Sequence, residues 1–200
     1  YGVNEIPRLA KENGIKYFFI FCDDYLRFSY KFNERWGFQN KKINNLDDVF
    51  RAMLSYYKKI NALSIAMAQD GDFIGGRLSS KALNIRPMRK VMNSFLCDVD
   101  RPFEFVGRMN EDLTTSVILG SRGNLFMSLT QLSINQKPTQ SEPGGLTDVY
   151  LDYGTYVKSF FSVMYNPSSV KISLMGVNHL RIHHEVAWNN AAPKIVREHI

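Results

Sequence analysis

Apolar positions along the chain switch repeatedly between a helical period and runs of strand length. Ile6 to Asn13 carries Leu9 at helical spacing from Ile6 and stops at Asn13-Gly14, a common helix terminator. Ile15 to Phe21 follows as an aromatic and β-branched run. Its near-continuous apolarity predicts a central strand covered on both faces, as in a parallel α/β sheet. It leads into Cys22-Asp23-Asp24-Tyr25, which places two carboxylates at the carboxyl end of that strand, where open α/β sheets bind ligands. Asn45 can cap a helix from Leu46 to about Ile60, with Asp47 and Asp48 in its first turn, Lys58 and Lys59 in its last, and Val49, Phe50, Met53, Leu54 and Tyr57 on its apolar face. A second strand, Ala62 to Ala68, ends in an acidic, glycine-rich loop from Gln69 to Gly76.

The remaining pattern is more mixed. It predicts a short strand at Phe103 to Val106 and a helix from Glu111 to Leu119. From Asn124 to Ile134, Leu125, Met127, Leu129 and Gln131 oppose Phe126, Ser128, Thr130 and Leu132, the alternation of a strand. A polar loop, Asn135 to Gly145, precedes a helical segment from Leu146 to Met164 that continues through Gly154, then two short strands at Val170 to Leu174 and Leu180 to His184. No repeat or linker divides residues 1–200, so one α/β domain is expected, its mostly parallel twisted central sheet flanked by helices.

At 200 residues the chain can bury a substantial core, and 44% hydrophobic with 22% charged residues excludes a mainly disordered protein. The apolar run Tyr17 to Cys22 is far shorter than the roughly 18 residues of a membrane span, so no membrane partner is expected. The chain starts at Tyr1 without a secretory signal pattern, as though cut, and Cys22 and Cys97 are too few for a disulfide scaffold and form no CxxC pair. A reducing, cytoplasmic setting is the expectation. A net charge of +6 favours an anionic partner: nucleic acid, phosphate or a nucleotide.

Adjacent carboxylates at Asp23 and Asp24 repel unless a cation, a basic side chain or protons intervene. They suit either a divalent metal site bridging to phosphate or a solvated turn. In His183-His184-Glu185, successive side chains of a strand point to opposite faces, so at most one histidine joins a given metal and the other packs or meets solvent. His179 and His199 are weaker candidates. Glu111-Asp112 opens a helix, where acids complement the dipole; either could also accept a proton from a nucleophilic hydroxyl. Arg86, Arg89 and Lys90, with Asn93 beside them, could neutralise a diphosphate or form a solvated helix face. Walker, dinucleotide, serine-hydrolase and zincin signatures are absent from the sequence.

Phe21-Cys22-Asp23-Asp24, then Asn110-Glu111-Asp112, then Arg181-Ile182-His183-His184 resembles the glycosyltransferase A fold. More narrowly, Asp70 to Gly76, Arg89 to Phe95 and the stretches around Thr139-Gln140 and Gly144-Thr147 resemble the TET-associated glycosyltransferases, mainly phage enzymes. The resemblance implies transfer of a sugar from a nucleotide-sugar donor, expected to be a UDP-sugar, to a hydroxymethylated pyrimidine such as 5-hydroxymethylcytosine in DNA, with Mn²⁺ or Mg²⁺ as cofactor and inversion at the sugar. It implies Asp24 as metal ligand, Asp23 supporting metal or nucleotide, His183 or His184 as second ligand, and Asp112, with Glu111 as rival, as base. Asp72, Gly75 and Gly76 then suit sugar hydroxyls, and Arg89, Lys90, Asn93, Gln140 and Lys158 suit donor or acceptor. Cys22 stands where a three-acid motif has its first aspartate, and the strand that binds nucleotide at the start of such folds is expected to be missing from this chain. The alternatives are the same fold acting on a protein or glycan, metal-dependent phosphoester hydrolysis, and a basic nucleic-acid-binding module without catalysis, in which some of the 14 Phe, 10 Tyr and 2 Trp would stack on bases.

Overall fold

A computed structural model describes residues 2–35, 37–70, 94–137, 146–154, 156–176 and 180–196. In chain order the elements are α1 (Gly2–Glu12), β1 (Tyr17–Phe21), β2 (Tyr25–Phe32), β3 (Phe38–Lys42), α2 (Leu46–Tyr57), β4 (Ser64–Gln69), β5 (Ser94–Asp98), α3 (Glu111–Gly120), β6 (Phe126–Gln136), α4 (Thr147–Tyr153), α5 (Val157–Tyr165), β7 (Val170–Met175), β8 (Arg181–Val186) and α6 (Trp188–Ala191). Six strands form one sheet in the order β1-β5-β4-β6-β2-β3, and β7 and β8 form a separate hairpin. The result is a mixed sheet flanked by helices, consistent with a Rossmann-like α/β arrangement.

The expected mostly parallel sheet is corrected: β4 and β6 are the one parallel neighbouring pair among the described strands, and the other four pairings in the sheet are antiparallel. β1 ends the strand order and is therefore not a central strand. Its continuous apolarity does reflect cover on both faces. Tyr17 and Phe19 pack with the cluster under α2, while Phe18 and Ile20 pack with the opposite cluster alongside Val3 and Ile6 of α1. Strand direction nonetheless alternates so that β1, β4 and β6 share one sense. Their carboxyl ends therefore lie along one margin of the sheet.

α2 starts at Leu46 as predicted, but Asn45 bonds to the Asp48 carboxylate instead of capping a backbone N–H. Helix α2 fills one sheet face through Val49, Met53 and Tyr57 against Ile65, Met67, Leu96, Met127 and Ile134. Phe50 gathers Phe19, Phe21 and Phe28 around it, with ring centroids 4.7, 5.8 and 6.2 Å away. The Tyr57 hydroxyl donates to the Leu63 carbonyl at 2.7 Å, so this buried phenol is satisfied.

Three other expectations change. Phe103 to Val106 forms no strand; Phe103 and Phe105 instead pack on Phe95, and the Asn4 side chain satisfies the Phe105 backbone at both N–H and C=O. The segment from Leu146 to Met164 breaks into α4 and α5 at Gly154, whose φ of 82° is outside the helical region. Strand β6 does not keep strict alternation: its register against β4 jumps from Met67↔Leu129 to Ala68↔Ser133. This irregularity brings Leu132 and Ile134 to the same cluster as Met127 and Leu129. A third cluster joins Leu113 and Val117 of α3 to Val170, Ala191 and Trp188. There Gly120 lies against the Ala191 carbonyl, with no room for a Cβ.

Candidate functional site: acidic groups at the carboxyl margin of the sheet

Cys22, Asp23 and Asp24 connect β1 to β2 at the margin where β4 and β6 also end. The Asp24 carbonyl accepts from the Lys137 N–H at 3.0 Å, and its Oδ1 accepts from Gln136 Nε2 at 3.0 Å. Gln136 in turn receives a 2.9 Å bond at Oε1 from Gln69 Nε2. Two glutamines at the ends of the parallel pair thus orient the Asp24 carboxylate.

Helix α3 returns directly into β6, so its first residues, Glu111 and Asp112, lie toward the same margin. Both acidic groups bear on the Cys22 thiol. Desolvation first, then the negative field of Asp24, raises its thiol to about 11, and Asp112 and Glu111 add to the rise against an opposing hydrogen bond with Tyr25. This holds although the residue as a whole is exposed. Tyr150 of α4 is also raised, by burial and then by Glu111 and Asp112. Lys158 of α5 stands over the Tyr150 ring, 5.8 Å from its centroid. Asp24, Asp112 and Glu111, far apart in sequence, thus all raise the Cys22 thiol.

Asn110 joins this neighbourhood to the hairpin. Its φ of 55° is left-handed, a conformation asparagine tolerates better than most residues. Its Nδ2 donates to Ser162 Oγ at 2.7 Å and lies 3.3 Å from His184 Nδ1. The expectation that the two histidines diverge is corrected: the rings of His183 and His184 pack on each other with centroids 4.1 Å apart. Asp112 Oδ1 accepts from the Leu113 N–H at 2.7 Å. Among the described residues, no group of three or more His, Cys, Asp or Glu side chains is gathered to hold a metal ion. The oxygen donors of Asp23 and Asp24 fit Mg²⁺ or Mn²⁺ when diphosphate and water supply the other ligands.

Asp72, Gly75, Gly76, Arg89, Lys90, Asn93 and Gln140 lie outside the described residues. The sequence reading quotes Asp70 and Asn110 only within longer motifs and misses Lys31, Asn135 and Gln136, whose side chains bond to Gln69, Asp70 and Asp24. A cleft lined by Pro7, Phe18, Ile20, Asp98, Arg101 and Phe103 shares no residue with the acidic margin. Among the described residues, no helix is long and apolar enough to cross a membrane.

A mixed α/β sheet with Asp23 and Asp24 at its carboxyl margin, and Glu111 and Asp112 toward the same margin, is the arrangement in which α/β proteins bind ligands at strand ends. Comparison with protein families identifies the particular kind: residues 3–145 match the TET-Associated Glycosyltransferase family, and the chain belongs to it. Sugar transfer is its class of activity. No curated protein and no solved structure matches the chain. The family match ends before α4, so Lys158 and the paired histidines lie beyond it.

Proposed function

We propose that this glycosyltransferase moves a hexose from a nucleotide-sugar donor, with a UDP-sugar as first choice, to the hydroxymethyl group of a modified pyrimidine in DNA, on a glycosyltransferase A-type scaffold. The observation that carries the reading is the match of residues 3–145 to the TET-Associated Glycosyltransferase family. A donor-side acid and an acceptor-side base must flank one sugar, and the β1–β2 connection and the start of α3 both lie toward the carboxyl margin of the sheet. Family membership and the net charge of +6 support an anionic donor and acceptor.

Asp24, supported by Asp23, and His184 or His183 would hold Mn²⁺ or Mg²⁺. When bound, that ion supplies positive charge opposite the diphosphate. Asp112, with Glu111 as its rival, accepts the proton of the acceptor hydroxyl. The hydroxyl oxygen forms its bond to the anomeric carbon as the bond from that carbon to the diphosphate oxygen breaks, and the diphosphate leaves with the electron pair. Attack from the face opposite the leaving group inverts the centre. Lys158 serves phosphate from its place beside Tyr150, and Asp72, Gly75, Gly76, Arg89, Lys90, Asn93 and Gln140 retain their proposed donor and acceptor contacts.

The test is transfer of radiolabelled hexose from UDP-sugars, with Mn²⁺, to hydroxymethylated DNA, unmodified DNA and protein. Label should enter the hydroxymethylated DNA alone and fall at least 100-fold in Asp112→Asn, within the range of a lost general base. Label entering protein, or cleavage of DNA without a sugar donor, would contradict the proposal.

A further inference from the structure

Positive charge is concentrated at one edge of the sheet. Between Tyr25 and Lys42 the sequence holds five basic residues, Arg27, Lys31, Arg35, Lys41 and Lys42, against one acid, Glu34. Lys31 is buried and the other four are exposed. β3 ends the strand order, and its last two residues, Lys41 and Lys42, lie opposite Tyr30 and Ser29 of β2. Successive strand residues point to opposite faces, so the two ammonium groups stand on either side of the rim. Arg35 lies in the connection from β2 to β3, which the Asn33 carboxamide fixes: its Oδ1 accepts from the N–H groups of Arg35 and Gly37 at 2.9 and 2.8 Å. Arg27 Nε donates to the neutral Asn135 Oδ1 at 3.0 Å. Among the described residues, Arg27, Arg35, Lys41 and Lys42 form no ion pair with a carboxylate.

We infer that the β2–β3 hairpin is a docking surface for the sugar–phosphate backbone of DNA next to the acceptor base, an inference that rests on the acceptor reading above. Lysines on an edge strand also keep it from pairing with another chain, but that role needs neither Arg27 on the neighbouring strand nor Arg35 in the connection. Exposed Tyr30 and Gln39 add neutral donors of the kind that accompany basic groups on phosphates. Extent decides between a polymer and a nucleotide. From Arg27 to Phe32, the end of β2, the strand rises about 17 Å at ~3.3 Å per residue, and Arg35 lies beyond. That is the axial length of about five nucleotide steps in one DNA strand, whereas a diphosphate is too short to meet all four groups. Arg27 is the third residue after Asp24, about 10 Å along the chain, so a backbone lying on the hairpin continues to the acidic margin.

Fluorescence anisotropy of a labelled hydroxymethylcytosine-containing duplex, followed from about 50 to 200 mM salt, measures the number of phosphate contacts from the slope of log affinity against log salt. Lys41→Gln/Lys42→Gln should bind about tenfold more weakly, with a slope shallower by about 1.8, two contacts' worth. Arg35→Gln should lose about 0.9 of slope. Hydroxymethylated and unmodified duplexes should lose equally, because phosphate contacts carry no sequence information. Calorimetric binding of UDP-glucose in Mn²⁺ should stay within twofold of wild type. An unchanged slope in both variants overturns the surface while leaving a DNA acceptor standing, and so does an equal loss from Lys11→Gln/Lys59→Gln, which removes the same charge from other elements. Lost UDP-glucose binding in the hairpin variants would assign these charges to the donor, and tighter binding of the wild type to phosphatidylserine vesicles than to duplex would assign them to a membrane; either overturns the surface. A wild type that binds no duplex at about 50 mM salt overturns the surface and the DNA acceptor together.

Discussion

The sheet buries two unlike regions. Toward α2, strands β4, β5 and β6 present Ile65, Met67, Leu96 and Met127; on the other side, toward the carboxyl margin, β2 and β6 present Ser29, Lys31, Ser133 and Asn135. The first face removes apolar area from water and contributes stability directly. The second keeps the Lys31 ammonium and one Asp70 carboxylate oxygen away from solvent, which opposes folding unless each is satisfied.

The contrast can be broken most forcefully on the apolar side. Leu96 is 1% exposed, so Leu96→Ala should cost about 3 kcal/mol in urea unfolding, the typical loss for a buried leucine. On the polar side Lys31→Met removes the donor to the Gln69 carbonyl and should cost about 1 kcal/mol in the same measurement, the typical net contribution of one hydrogen bond. A loss as large as that of Leu96→Ala would make Lys31 a structural residue and erase the distinction between the faces.

Much of this fold is legible in the sequence. The strands at Tyr17–Phe21, Ser64–Gln69 and Phe126–Gln136 and the helices at Leu46–Tyr57 and Glu111–Gly120 all fall where hydrophobic periodicity puts them, within a few residues. Continuous apolarity misled about β1, since cover on both faces does not require parallel neighbours. The stretch between Asp24 and Asn45 carries no predicted element, yet it folds as β2 and β3. Its signal is the alternation of Phe28, Tyr30 and Phe32 with Ser29 and Lys31, masked by buried polar residues that composition assigns to the surface. The carboxylates of the site were readable as local motifs. Their orienting partners were not, because Gln136 and Asn135 meet Asp24 and Asp70 only through strand pairing.

The central claim is that acids from the β1–β2 connection and from the start of α3 share one site. The pH profile of Cys22 alkylation by iodoacetamide, followed by mass spectrometry of its peptide, tests this directly. Cys97 is buried and its thiol is raised to about 12 by desolvation, so it should remain slow. With Cys22 raised to about 11, its thiolate is scarce at pH 8 and alkylation rises through pH 10. Removing either negative charge lowers the thiol pKa, so more thiolate is present at a given pH and reaction is faster. Asp24→Asn should accelerate alkylation at pH 8 by about threefold, and Asp112→Asn, about 90 residues away along the chain, by about twofold, since lower basicity offsets part of the thiolate gain. Acceleration in Asp24→Asn with an unchanged profile in Asp112→Asn and Glu111→Gln would place the two acidic pairs apart and contradict the account.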